Sequence, residues 1–384
     1  MNKHLTFGLF MGIGLGFIFM NIPPALDRLM DLYGASYLRI SILISTLFWS
    51  HALMQVPAGV IGDRLGIRPT LLIGLCFICI GNLVPILSPH LGPAIVGRAI
   101  TGIGTGLSFV ATMKLIALVA PSDRKGVFLG YYGSFFSLGG ILAYILLPPL
   151  IKFHWEWTYA TTVGINLLLV LWLWALRLQE VPQTAQPLPL LRVVRLREGW
   201  ILGAYHALSW GAMINLGSWL PSLLADVWKG SAAVQFAWGG ALVMLISGLG
   251  RLSGSFILLK LNPLRVANGS ILILSLVLLC LFGIPYSGPT FGLALLAAWF
   301  ASLNFGAFFD LASRSVSSDS LGSLVGFINF LANLSAMLLA ILFGWLKDTV
   351  GSFSWAFLIM TVFGLSTYLA GRNSLKRCMI GKEC

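Results

Sequence analysis

The side chains able to do chemistry in this sequence are few, and they stand inside apolar stretches. Arg98 and Lys114 share one such stretch, His51 and His206 stand in two others, and the amides Asn21, Asn215 and Asn304 are similarly placed. A guanidinium in hydrocarbon costs about 2.5–3.5 kcal/mol even on insertion scales. Arg98 is therefore expected to face a cavity, helix carbonyls or an acid, and it is the first candidate contact for an anion. The structural alternative is that its stem snorkels to a nearby interface. Lys114, near the other end of the same stretch, reads more simply as a snorkelling lysine. An imidazole titrates near neutral pH and need not be buried charged, so His51 and His206 are candidates both for carrying a proton and for touching a solute. His206 and Trp210, four residues apart, share a helix face. Buried amides need partners, whether protein, water or solute. Asn21, Asn215 and Asn304 thus join Trp210, Tyr131 and Tyr132 as solute-binding candidates, with bonding between helices as the plainer reading. No Asp or Glu stands near the middle of an apolar stretch, and the acid kept as a proton-carrying candidate is Asp27, at the end of the first. No Cys or His completes a metal site around Cys76 and Cys79. No phosphate-cradling GxxxxGK[ST] appears. No nucleophile or paired-carboxylate constellation assembles, so neither an enzyme, a cofactor nor a metal is expected.

The elements that must position these residues follow from composition. The chain has 384 residues, 58% hydrophobic and only 9% charged. Soluble domains carry about 25% charged residues, so this chain has too little polar surface for a water-soluble globule of its size. It reads as an all-α polytopic membrane protein in contact with a lipid bilayer. Twelve apolar spans are expected, near 5–26, 39–61, 70–88, 93–117, 127–149, 158–176, 200–224, 233–257, 266–285, 290–311, 321–345 and 353–371. Gly8, Gly12 and Gly16 fit close helix packing in the first. The Asn21–Pro24 "NIPP" and the Asn304–Asp310 "NFGAFFD" are expected to break the first and tenth beside a cavity. The net charge of +12 would suggest nucleic acid in a soluble protein, but here placement decides. With the N-terminus inside and the spans alternating, seventeen Lys and Arg fall on the inner side, Arg251 among them, against Arg28, Arg39, Lys152, Lys229 and Lys347 outside. That excess puts both termini in the cytoplasm, and no nucleic-acid partner is expected. The longest polar interval, 177–199, is a cytoplasmic linker between residues 1–176 and 200–371, with 372–384 as a cytoplasmic tail. Its "LLRVVRLRE" part reads equally as a short surface helix at the anionic inner leaflet or as a solvated tether.

The most specific segment is "QVPAGVIGDRLGIRP", Gln55 to Pro69, where one apolar span ends, a charged turn follows and the next span begins. It resembles the major facilitator superfamily (MFS) of transporters, whose loop between the second and third helices carries G-x-x-x-D-R-x-G-R-R/K. Gly59, Asp63, Arg64, Gly66 and Arg68 match, and Pro69 departs at the last basic place. By this resemblance these residues form a gate at the inner face, with Gly59 permitting close helix contact and Asp63 capping a helix end or pairing across an interface. "GLGRLSG", Gly248 to Gly254, is similar to the family's degenerate second copy, with Arg251 in the place of Arg64 and Gly250 replacing the acid. "GRAITGIGTG" resembles the fourth-helix R-x-x-x-G-x-G pattern through Arg98, Gly102 and Gly104. "PSDRKG", Pro121 to Gly126, and "GWLKDTVGS", through Gly344, Asp348 and Gly351, resemble further family loops. Gly139 and Gly140 match only part of the fifth-helix Gly-Pro pattern of the antiporters, because the Pro is missing.

The resemblance covers about residues 5–371. It implies twelve transmembrane helices in two pseudo-symmetric six-helix bundles around a central cavity, and alternating access as the mechanism. The expected function is secondary active transport of a small polar or anionic metabolite, by symport with H+ as the candidate coupling ion, in a bacterial-type inner membrane. A proton-coupled exporter of amphipathic compounds or drugs is the first alternative, and a non-transporting membrane receptor or scaffold the second.

Overall fold

The computed structural model describes residues 3–121, 125–176, 194–228, 233–258, 260–284, 288–315 and 318–379. Fourteen α-helices occupy them: α1 (Lys3–Phe19), α2 (Leu26–Tyr33), α3 (Tyr37–Leu65), α4 (Ile67–Leu87), α5 (Leu91–Val119), α6 (Lys125–Ile151), α7 (Trp157–Ala175), α8 (Arg197–Val227), α9 (Ala237–Leu258), α10 (Pro263–Gly283), α11 (Pro289–Leu303), α12 (Phe305–Ser315), α13 (Ser318–Val350) and α14 (Ser354–Met379). The expected breaks are present. The first span stops at Phe19, turns through a single 3-10 turn at Pro23–Ala25 and resumes as α2. The tenth is divided at Asn304 into α11 and α12. The fold is therefore the all-α membrane architecture expected. Of the expected linker, residues 177–193 lie outside the described residues, as do 122–124 of the "PSDRKG" turn; α8 already takes in Arg197 to Gly199.

Eleven segments of the described residues are long and apolar enough by themselves to cross a membrane. The helix that falls short is α8, which carries His206, Ser209, Asn215, Ser218 and Ser222. Its side chains are buried along almost its whole length, so protein rather than lipid surrounds it. A helix sheathed by protein can carry polar groups that a lipid-facing helix cannot. The complementary case is the outer ring: Ile80 and Leu83 of α4, Leu168 and Leu171 of α7, Leu276 of α10 and Val362 of α14 are exposed. Apolar surface on that scale needs hydrocarbon against it.

Helix ends are set by local chemistry. Ser36 caps α3, its Oγ accepting from the Arg39 N–H at 3.4 Å, and Asn262 caps α10 ahead of Pro263. Gly66 alone separates α3 from α4, at φ 91°, a conformation that L side chains rarely adopt. One end of the bundle thus carries the Gly66 turn, and the opposite end carries the turns at Gly34 and Gly351.

Packing sorts the helices. A Cβ on Gly16 would meet the backbone of Phe136 and one on Gly139 the backbone of Ile13, so α1 and α6 touch backbone to backbone. Gly12 faces Tyr132 of α6, while Gly8 faces Ile116 of α5. Two seams cross from the first six spans to the last six. At one, α3 meets α13, with Gly344 against Tyr37 and Ser41; at the other, α6 meets α9, with Gly140 against Met244 and Gly240 against Tyr144.

Candidate functional site

Between the two groups of helices lies a cavity of about 480 Å3. Its walls come from α1, α3, α5 and α6 on one side and α8, α9, α12 and α13 on the other, while α4, α7, α10 and α14 contribute nothing to it. The arrangement is the two-fold repeat of one plan.

On the first wall, Nδ1 of His51 lies 3.0 Å from Thr105 Oγ1, and Gln55 Nε2 lies 2.7 Å from His51 Nε2. The Thr105 hydroxyl already donates to the Gly102 carbonyl at 3.0 Å. His51 Nδ1 is therefore the donor to Thr105, and Nε2 accepts from the Gln55 amide. That assigns a neutral ring held at both nitrogens. Phe19 and Phe109 pack edge-on to it, at 5.1 and 5.6 Å between centroids.

On the second wall stand His206, Trp210 and Arg251. Trp210 lies one turn beyond His206 in α8, 6.3 Å away by ring centroid. Arg251 is buried, with Phe305 4.8 Å and Trp210 5.7 Å from its guanidinium carbon. Ring faces attract a cation more strongly where water is excluded. Arg251 Nη1 also donates to the Gly133 carbonyl of α6 at 2.9 Å, across the seam. Asn304 adjoins this group, its amide donating to Ser209 Oγ at 3.0 Å.

The structure moves Arg251 from where the sequence suggested. As the counterpart of Arg64 it was expected at the inner loop, but α9 continues to Leu258 and holds Arg251 on the cavity wall. Arg98 makes the opposite change. It is buried away from the cavity, its Nη1 donating to Asn21 Oδ1 at 3.0 Å and to the Ile18 carbonyl at 3.4 Å. Ile18 stands in the last turn of α1, whose carbonyls lack helical partners, and a cation there also complements the helix dipole. Asn21 completes the tie, donating to the Thr158 carbonyl at 3.2 Å and to Thr162 Oγ1 at 3.1 Å. Arg98 and Asn21 thus pin the broken α1 to α5 and α7.

Other candidates are also placed elsewhere. Tyr131 is exposed and packs on Phe128, while its neighbour Tyr132 faces the cavity. Asn215 ties α8 to the Ala336 carbonyl of α13 at 3.1 Å. Asp27 lies in the first turn of α2, at the Gly351 end. At the Gly66 turn, Arg64 is exposed in the last turn of α3, and Arg68 donates to the Trp174 carbonyl at 3.4 Å. Nothing lies within 4 Å of a Cβ built on Gly59, so close helix contact is not its role; its carbonyl accepts from Lys114 Nζ at 3.0 Å. Lys114 accordingly holds α5 to α3. The Asp63 side chain lies outside the described residues.

The cavity also shows residues that the sequence reading passed over: Asp310, Asn329 and Asn333, with the rings of Phe136 and Phe305. Asn329 and Asn333, four apart in an otherwise apolar stretch, were a readable signal, since two amides on one helix face need polar company.

At the Gly351 end the cavity is shut. The Tyr144 hydroxyl donates to the Gly217 carbonyl. Trp219 packs between Tyr37 and Phe353, at 6.1 and 5.7 Å by ring centroid. Lys347 Nζ pairs with Asp226 at 2.6 Å. Toward the other end the lining runs on to Gly130, Asp310 and Val325, each within a few turns of a helix end.

Two helix groups of like plan, closed at one end over a central cavity, are the architecture of a multi-pass membrane transporter. The Major Facilitator Superfamily profile matches residues 8–339, and the chain belongs to that family, whose members are membrane transporters rather than enzymes. Over 139 residues it is 32% identical to a probable chloroplastic anion transporter of Arabidopsis thaliana, covering 36% of this chain and 27% of that one. Over 207 residues it is 30% identical to a human facilitated glucose transporter, solute carrier family 2 member 12, covering 53% of this chain and 31% of that one. The chain thus spans less than a third of the length of these curated relatives. Among solved structures it is similar to a D-xylose–proton symporter, with a TM-score of 0.78 and 15% identity over 97% of each chain. It is also similar to the Escherichia coli fucose–proton symporter, with a TM-score of 0.69 and 17% identity over 97% of this chain and 99% of that one.

Proposed function

We propose that this protein is a secondary active transporter that carries a small organic anion across the membrane by alternating access, coupled to protons. The observation that carries the anion reading is Arg251, a buried guanidinium on the wall of the central cavity. A cation in such a site attracts negative charge strongly, because little water screens it. Residues 1–176 and 200–371 are the halves that rock, and 177–199 joins them. The lysine and arginine excess supports a cytoplasmic Gly66 end with cytoplasmic termini, in a bacterial-type inner membrane. With that orientation the structure corresponds to a state closed to the outside. The Gly59–Arg68 turn is the gate that closes the inner side in the opposite state.

His51 and His206 are the proposed proton carriers, both on the cavity wall. His51 is the sharper of the two. Protonation makes Nε2 a donor, and a rotation of the Gln55 amide that turns its carbonyl oxygen toward the ring then accepts that proton. Asp27, distant from the cavity, has no part in this reading.

The rings around the cavity favour a second reading, export of amphipathic compounds. One experiment separates the two. Purified protein in liposomes is given a panel of organic anions and of neutral amphipaths, with and without a pH gradient. Anion flux that responds to the gradient supports the first reading; gradient-driven flux of neutral amphipaths supports the second. No flux of either kind favours a receptor or scaffold.

A further inference from the structure

Arg251 has engagements in both halves of the molecule. Phe305 and Trp210 of its own half flank the guanidinium, while Nη1 reaches across to the Gly133 carbonyl of α6. Gly133 allows this approach: a Cβ there would sit 3.3 Å from Nη1, so a methyl group would crowd the guanidinium and stretch its bond to the carbonyl by a few tenths of an ångström. As an acceptor that carbonyl is neutral, part of the α6 ladder, and it lies 3.4 Å from the Ser137 hydroxyl that donates to it. Charge-assisted hydrogen bonds are about twice as strong as neutral ones, and a carboxylate meets a guanidinium with two acceptors at once. A carboxylate reaching the cavity therefore outcompetes Gly133 for Arg251.

The rest of the cavity describes the rest of the solute. Phe19, Phe109, Phe136, Trp210 and Phe305 offer ring faces and edges to an apolar body. Asp310 shares the lining, and its carboxylate repels a second negative charge. The volume of about 480 Å3 suits a small organic molecule.

We propose that Arg251 receives the carboxylate of an amphipathic monocarboxylate, and that binding exchanges the Gly133 carbonyl for that carboxylate, releasing a tie between α6 and α9. The proposal rests on the anion reading above and adds to it the solute class and the coupling. A ligand shifts a conformational equilibrium only by its differential affinity for the two states. The Gly133 tie supplies that difference, because the state that keeps it holds the solute less tightly.

The test measures binding of benzoate, of benzamide as its uncharged counterpart and of phthalate as a dianion, to the purified full chain in nanodiscs. Benzoate is expected to bind at least about tenfold more tightly than either of the others, a difference of one charge-assisted contact. Arg251→Gln is expected to lower benzoate affinity at least about tenfold and to leave benzamide unchanged, with Arg251→Lys intermediate as the variant that keeps the charge. Gly133→Ala is expected to tighten benzoate binding several-fold, because the bond to the competing acceptor is stretched and weakened. Benzoate binding that depends on Arg251 but is unchanged or weakened by Gly133→Ala overturns the exchange and leaves the anion reading standing. Benzoate binding indifferent to both Arg251 variants overturns that reading as well. Equal binding of benzamide or phthalate, or no binding of any probe, overturns the solute class.

Discussion

Asp348, at the end of α13, caps a helix of the other half: its carboxylate accepts from the backbone N–H of Tyr37 at 3.1 Å and of Leu38 at 2.7 Å, the first turn of α3. A carboxylate at a helix N-terminus satisfies orphan donors and meets the positive end of the dipole. The contact exists only while the Gly351 end is closed, since α3 and α13 must touch for it to form. Beside it, Lys347 pairs with Asp226 and lies over the rings of Tyr37 and Phe353, at 5.7 and 5.3 Å.

Replacing Asp348 by Ala removes this lock without touching the cavity. A charge at a helix terminus is worth about 0.3–1 kcal/mol. The ratio of protein open at the Gly351 end to closed protein should rise about two- to fivefold by that measure. Spin labels at the Gly351 ends of α3 and α13 report it, as a larger long-distance population. An unchanged distance distribution would show that the contact does not restrain opening.

Arg98 is expected to act on stability rather than on affinity. Arg98→Ala strips Asn21 Oδ1 and the last turn of α1 of their donor, at a cost of about 1–3 kcal/mol for each buried group left unsatisfied. The melting temperature should fall, while the fraction that stays folded binds its ligand with unchanged Kd. A large loss of affinity at unchanged melting temperature would return Arg98 to the binding site.

His51 carries the proton prediction. His51→Gln keeps a hydrogen-bonding side chain next to Gln55 but cannot take up a proton near neutral pH. Uptake driven by a pH gradient should collapse in this variant while exchange of labelled for unlabelled solute persists. Retention of both activities would move the proton to His206.

Two glycines give opposite outcomes for the same substitution. A Cβ on Gly16 runs into the Phe136 backbone, whereas one on Gly164 of α7 meets nothing within 4 Å. Gly16→Ala should destabilise by about 1–3 kcal/mol through overpacking of α1 on α6. Gly164→Ala should be neutral or gain up to about 1 kcal/mol of helix propensity. Melting temperatures of the two variants compare them directly, and equal shifts would contradict the backbone contact of α1 with α6.

How much of this is legible in the sequence depends on what each signal encodes. Spans are written in hydropathy over about 20 residues, and their ends fell close to the observed helices. The breaks at Asn21–Pro24 and at Asn304 were legible because proline, glycine and amides interrupt apolar runs there. Helix phase was not. A helix that is apolar on every side does not announce which face meets lipid and which meets protein, so nothing in the pattern separates Tyr131 from Tyr132, of which only Tyr132 faces the cavity. The same blindness exchanged the roles of the two arginines. Arg98 resembled a cavity charge but serves the carbonyl end of α1, visible only once α1 is seen to stop at Phe19. Arg251 resembled a loop charge because the Gly66 turn served as its template, although the apolar span expected at 233–257 already carries the helix about two turns past it, as α9 does.

The claim on which the rest depends is that one cavity between the halves is reached from each side of the membrane in turn. The direct measurement places a single cysteine at Asn329, on the cavity wall, in protein whose native cysteines have been replaced, and labels it in sealed vesicles of known orientation with a membrane-impermeant maleimide. Labelling is predicted from the Gly66 side in the resting protein, and from the Gly351 side as well once Asp348→Ala loosens the closure there. A cysteine at position 329 reached from only one side under every condition, solute and pH gradient included, would contradict alternating access through this cavity.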